Sequence, residues 1–288
     1  PGTPTTPGTG TVSGAVSVSL ASVQPNNVLV AGQAHAKLAD FVFSGTGIVT
    51  NVQLQRTGVS NNSALTNVYL YDGNTKISDA VSVMADGSIR FNYGTGLFSV
   101  TGSKVISVYA DVATGTSGQS VGVALTGYTV SGNPAAVVSG VNGNNLPIGQ
   151  ADLAGVKVET TLNQNQANIG DQNVNVWSAG VTVSLHDAYF VGGTFRMMGS
   201  APYSALSNVK LYIDGVQVGN AAAIDAAGRL SFSGGNYLVK SGYHTVNVRG
   251  DIADGAGRYL QVSLEQGSDL LFEDAQLRGA YVMPTNTT

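Results

Sequence analysis

Two stretches of this chain decide how it folds. Ala64-Leu65-Thr66-Asn67-Val68-Tyr69-Leu70-Tyr71-Asp72-Gly73 has a partner in Ala205-Leu206-Ser207-Asn208-Val209-Lys210-Leu211-Tyr212-Ile213-Asp214-Gly215. In each, side chains alternate along an extended run that ends in an Asp-Gly turn signal. The alternation puts Val68 and Leu70 on one face of a strand and Tyr69 and Tyr71 on the other. Asp72-Gly73 and Asp214-Gly215 predict type I′ hairpin turns, in which both central residues have positive φ, and Asp86-Gly87 predicts a third.

The correspondence continues outward from these stretches. Gly87-Ser88-Ile89-Arg90-Phe91 matches Gly228-Arg229-Leu230-Ser231-Phe232, and Val108-Tyr109-Ala110-Asp111-Val112-Ala113 matches Val248-Arg249-Gly250-Asp251-Ile252-Ala253. Val121-Gly122-Val123-Ala124-Leu125 matches Leu260-Gln261-Val262-Ser263-Leu264, and the openings Val16-Ser17-Val18 and Val156-Lys157-Val158 also correspond. Five blocks in one order, at nearly constant spacing, mean an internal duplication. The repeats cover 12–150 and 151–288, with the boundary near 147–154 and a Pro/Thr/Gly linker over 1–11. Such a linker predicts a further module upstream, and the chain reads as a mature or partial form.

Composition agrees with an all-β chain. Hydrophobic residues make up 43% and charged residues only 10%, well below the usual share, so polarity comes from Ser, Thr, Asn and Gln. Glutamate occurs only at Glu159, Glu265 and Glu273, leaving little for helix surfaces. Short alternating strands at this spacing predict two tandem immunoglobulin-like β-sandwich domains.

Several function classes fall away. A net charge of −4 with no cationic cluster speaks against nucleic acid and against a polybasic membrane anchor. No run of about 20 apolar residues is present for direct membrane insertion by a helix. With no cysteine there is no disulfide framework and no Cys-zinc site. The three histidines, His35, His186 and His244, lack metal-ligand spacing and read as structural. No Gly-x-Ser-x-Gly elbow precedes a helix, so no catalytic residue is assigned and the chain reads as a non-enzyme. Gly45-Thr46-Gly47 and Gly192-Gly193 read as turns or bulges, not phosphate loops. Calcium is the one cofactor with candidate ligands, Asp251 and Asp254 in Asp-x-x-Asp-Gly-x-Gly; the plain alternative is a carboxylate accepting turn amide bonds. Asp187, Asp269, Glu273 and Asp274 add further acid to the second repeat. A glycosidase pair lacks the aromatic platform that sugars need.

Phe41, Phe43, Phe91, Phe195 and Phe232 read as core, while Tyr69 and Tyr189 read as exposed contact residues. Trp177 reads as core before interface. The stretch from Asn163 to Met198, with Trp177, His186 and Met197-Met198, has the weakest counterpart and reads as an altered edge strand turned toward a neighbour. Asn61-Asn62-Ser63 and Asn286-Thr287-Thr288 fit the short Asn-x-Ser/Thr glycosylation pattern.

The blocks Leu65 to Gly73 and Val105 to Ala113 resemble the Ig-like repeats of surface proteins from candidate-phylum, ultra-small bacteria, and the likeness runs from about residue 12 to 283. That resemblance implies a secreted, modular cell-surface protein of the S-layer type, held to the envelope through a separate anchoring domain. On this basis the expected partner is a further copy of the chain, in a lattice or filament. The alternative is the stalk or ligand-binding module of a surface adhesin.

Overall fold

Alternating apolar residues and frequent glycines leave strands as the only economical way to bury this chain's apolar surface. The computed structural model describes residues 16–161, 166–220 and 223–287. The linker 1–11, Asn163 and Thr288 lie outside the described residues. The chain divides into two compact units, Pro1–Ala151 and Asp152–Thr288. Among the described residues the only helical pieces are short 3₁₀ turns. No helix there is long and apolar enough to cross a membrane.

The first unit contains β1 (Val16–Leu20), β2 (Leu29–Val30), β3 (Ala36–Thr57), β4 (Leu65–Asp72), β5 (Thr75–Lys76), β6 (Ser88–Asn92), β7 (Phe98–Val112), β8 (Ser120–Val130), β9 (Ala136–Asn142) and β10 (Leu146–Gly149). The 22-residue β3 organises it. Its first half pairs antiparallel with β1 and β7, and its second half with β6 and β8. One strand therefore threads the whole 10-stranded sheet of this unit. Its neighbour changes from β1 to β8 across Gly45-Thr46-Gly47, where Gly45 (φ 131°) faces Gly102 (φ 80°) in the unbroken β3–β7 ladder. A side chain at Gly47 would press on Val130 and Val16. These glycines, read from sequence as turns or bulges, instead lie inside a continuous strand.

The second unit contains β11 (Gly155–Thr161), β12 (Val174–Ser184), β13 (Ala188–Gly199), β14 (Leu206–Ile213), β15 (Val216–Asn220), β16 (Arg229–Val239), β17 (Gly242–Ile252), β18 (Leu260–Ser263), β19 (Leu270–Asp274), β20 (Tyr281–Val282) and β21 (Thr285–Thr287). One sheet runs β15-β14-β17-β12-β11-β21; the other runs β16-β13-β19-β20, with β18 also on β13. Here the duplicated long strand is broken in two. Leu185 takes φ 68° and the N–H of His186 bonds the Ser184 carbonyl, so β12 and β13 serve separate sheets. Gly192-Gly193 forms the expected bulge, marked by a register shift after Phe190 in β13.

Each unit has its own apolar core. Phe41, Phe43 and Phe91 are buried in the first, and Phe195 and Phe232 in the second. Trp177 is a core residue, 3% exposed, packing edge-on against Phe195 at 4.9 Å. The Asn163–Met198 stretch is no edge strand in its described part: β12 lies between β11 and β17, and β13 between β16 and β19. Its divergence from the first repeat coincides with the break at Leu185.

The turns also differ from the sequence expectation. Asp214 and Gly215 have φ 48° and 78°, the pair of positive angles that a type I′ turn needs. In the first unit Asp72 pairs with Thr75, so Gly73 and Asn74 form the turn and only Gly73 is positive. The one-residue insertion before Asp214 accounts for the shift. Asp86-Gly87 is no type I′ turn either: Gly87 alone is positive, and its N–H closes a turn on the Met84 carbonyl. Gly228 repeats that arrangement on the Asp225 carbonyl.

Candidate functional site

The carboxylates are placed by the duplication. Asp111 ends β7 and Asp251 lies at the matching point of β17. Asp111 is fully buried; its Oδ1 accepts the His35 N–H (3.0 Å) and the Tyr69 hydroxyl (2.7 Å), and its Oδ2 accepts the Asn67 amide (2.8 Å). Asp251 repeats this with the Asn173 N–H (2.8 Å) and the Asn208 amide (3.0 Å). His35 (φ 50°) and Asn173 (φ 55°) are both left-handed residues, so each aspartate fixes a strained entry to the strand that follows. The Asn173 N–H, helped by the Asn208 amide, holds the Asp251 carboxyl below the ordinary carboxylate range.

Asp251 and Asp254 are near each other in sequence but serve different partners. Both Asp251 oxygens are occupied as described, and Asp254 Oδ1 accepts the N–H of Gly255 at 2.7 Å. Among the described residues no group of three or more His, Asp and Glu side chains converges as a metal site would require. Other acidic side chains of the second unit also bind turns. Asp187 accepts the Ser241 N–H, and Asp269 accepts the Gln266 N–H in a capping box. Glu273 accepts the Gly279 N–H and pairs with Arg278. Asp274 is buried and takes four bonds: Ala154 N–H (2.6 Å), His186 Nδ1 (2.9 Å), Gln276 N–H (2.8 Å) and Leu277 N–H (2.9 Å). Burial alone would raise its pKa, but these donors outweigh burial and leave the carboxyl below its usual range.

The histidines are scattered among structural contacts. The His35 ring lies in an aromatic cluster, stacked on Tyr109 (4.1 Å) and edge-on to Tyr71 (4.9 Å). Burial, with the nearby Lys76 charge, pushes its pKa down to about 3, so the ring is neutral at neutral pH. His186 bonds Asp274. Both ring nitrogens of His244 face oxygens, the Asp214 carboxylate at 2.6 Å and the Lys240 carbonyl at 2.7 Å.

Tyr69 is buried, contrary to its reading as an exposed contact residue. His35 stacks on the Tyr69 ring at 5.9 Å and the Lys76 ammonium lies over it at 5.1 Å, while the segment after β5 continues along the edge of β4: Ile77 N–H bonds the Leu70 carbonyl, Ser78 Oγ accepts the Leu70 N–H, and Val81 bridges to Val68. Tyr189 is half-buried beneath the Arg278 guanidinium at 4.3 Å. Sequence reading did not single out Tyr259, whose side chain stands 68% exposed beside an open groove at one end of the second unit. Its signal was an aromatic following the two-glycine loop Asp254 to Arg258.

No family model matches the chain, and no curated protein matches it in sequence. Among solved structures it is similar to an anti-sigma factor domain-containing protein at 14% identity, covering 85% of this chain and 83% of that one, with a TM-score of 0.18. The major pilin subunit of Bacillus cereus is similar at 10% identity, over 81% of this chain and 70% of that one, with a TM-score of 0.20. The fibronectin(III)-like modules of Clostridium thermocellum CbhA are similar at 14% identity, over 85% and 92%, with a TM-score of 0.13. Scores this low carry no function across.

Proposed function

We propose that this chain is a non-enzymatic structural module of an extracellular surface assembly, a subunit that packs with further copies into a surface layer or filament. The observation that carries this reading is the duplication itself. Two self-contained sandwiches repeat the same aspartate latch, and the described carboxylates singled out from the sequence act on nearby turns and strand ends. A scaffold needs side chains spent in this way; a reaction centre needs some held in reserve. Low charge density supports close packing of copies, because it lowers their mutual repulsion. On this reading the chain lies outside the cell and reaches the envelope through a separate anchoring domain, as the Ig-like repeat resemblance implies.

Electron microscopy of the purified chain, with calcium and with chelator, tests the proposal. Ordered sheets or filaments are the expected result, and loss of order in chelator would assign calcium a part in assembly. Dispersed particles at every concentration and in both conditions would overturn it and favour the adhesin-stalk alternative.

A further inference from the structure

We propose that the groove beside Tyr259 binds a neutral saccharide. It has a volume of about 700 Å³ and forms where residues 166–169, the start of β12 and the loop between β17 and β18 meet. Val174, Val176, Ile252 and Leu260 supply apolar lining, while Gln166, Asn168, Asp254 and Arg258 bring polar side chains to the same space.

Tyr259 is mounted rigidly. Its N–H bonds Ser200 Oγ at 3.2 Å, and its carbonyl accepts the N–H groups of Ser200 (3.0 Å) and Ala201 (3.1 Å). The backbone is clamped while the ring remains in solvent, an arrangement that contributes little to the fold. A large flat ring held at a groove is a platform for a ligand's apolar face, bought at little cost in conformational entropy.

The polar complement narrows the ligand class. A pyranose presents C–H groups on its faces and hydroxyls, each both donor and acceptor, around its edge. The face suits the tyrosine ring, and the edge suits a mixture of amides, a carboxylate and a guanidinium. A phosphate or polyanion fits poorly, since Arg258 is the only cation lining the groove among the described residues, it already donates to the Ser200 carbonyl at 3.2 Å, and the Asp254 carboxylate lines the same groove. A wholly apolar ligand would take those charged groups out of water and offer them no polar contact of its own.

The fold does not require this feature. The matching loop of the first unit, Thr114 to Ser120, has no aromatic and no charged residue. It is closed by its own bonds: Gly118 N–H to the Ile148 carbonyl, Ile148 N–H to the Gln119 carbonyl, and Ser120 N–H to the Val59 carbonyl. After duplication, only the second unit carries an exposed ring at this point.

The test titrates the full chain with glucose, galactose, mannose, N-acetylglucosamine, cellobiose and maltose, read by saturation-transfer NMR and calorimetry. A second arm measures retention on insoluble cellulose, chitin and peptidoglycan. A response in either arm is expected, the first locating recognition in a free sugar and the second in a polymer surface. Tyr259→Ala should weaken it at least tenfold and Tyr259→Phe should largely keep it. Tyr243→Ala, which removes another exposed tyrosine of the same unit outside the groove lining, should leave it unchanged. Thermal melting of each variant shows that the unit is folded. No response in either arm, or a response that survives Tyr259→Ala in a folded protein, overturns the proposal. Neither result depends on whether the chain forms arrays.

Discussion

Asp111 and Asp251 hold the same latch in the two halves of the chain, but only Asp111 does so fully buried. Removing a buried acceptor leaves its donors unsatisfied, at about 1–3 kcal/mol each. Asp111→Ala strands the His35 N–H, the Tyr69 hydroxyl and the Asn67 amide together. The first unit should lose about 3 kcal/mol or more, seen as a lowered transition in calorimetry. Asp251→Ala should move the second unit's transition less, since water can replace the lost acceptor there.

Acid should weaken the two units in different pH ranges. His35 is held near pKa 3 against an ordinary value of 6.5, so between these values the unfolded chain binds a proton that the folded one refuses. That contribution is fully present above pH 6.5 and falls by up to ~1.4 kcal/mol per pH unit down to about pH 3. Asp214 and Asp274 are depressed instead: for both, burial opposes the shift and hydrogen bonds outweigh it. Their contribution is present above the ordinary aspartate value and is lost only as pH falls below it through the folded values. Melting followed from pH 7 to 4 should show the first unit declining ahead of this carboxylate loss, and His35→Asn should flatten that decline.

Trp177 is the single tryptophan and sits in the second core, so its emission reports that unit alone. It should be blue-shifted in the folded chain. Trp177→Ala should cost about 3–5 kcal/mol, the usual penalty for emptying an aromatic core site. The first unit's transition, followed by circular dichroism, should not move.

Glycine substitutions separate strain from collision. Gly215 has φ 78° with open space around it, so Gly215→Ala tests backbone strain alone and should cost about 1–2 kcal/mol. At Gly58, φ is 90° and a side chain would also strike the Ser120 carbonyl. Gly58→Ala should cost clearly more, as denaturant titration of each unit would show.

The duplication was legible because its signals are local: an alternating strand, an Asp-Gly turn and an aspartate at a strand end recur in order. What misled was non-local. Gly45-Thr46-Gly47 looks like a turn, yet pairing with Gly102 on a distant strand carries β3 straight through it. Tyr69 looks half-exposed by alternation, but His35 and Lys76 lie against its ring and Asp111 takes its hydroxyl. Nor does the Asp251 and Asp254 spacing show that the donors occupying Asp251 come from Asn173 and Asn208, far away in sequence. Tyr259 gained meaning only when three separated segments met around it.

The unbroken β3 has a mechanical consequence. In the first unit a single strand is bonded to β1 and β7 along one half and to β6 and β8 along the other, so a pull that peels one set must also drag on the other. The second unit has a joint at Leu185 where its two sheets can part before either is torn. Stretched end to end, the chain should give way in two unequal steps: the jointed half yields first, and the half threaded by β3 bears the load longer.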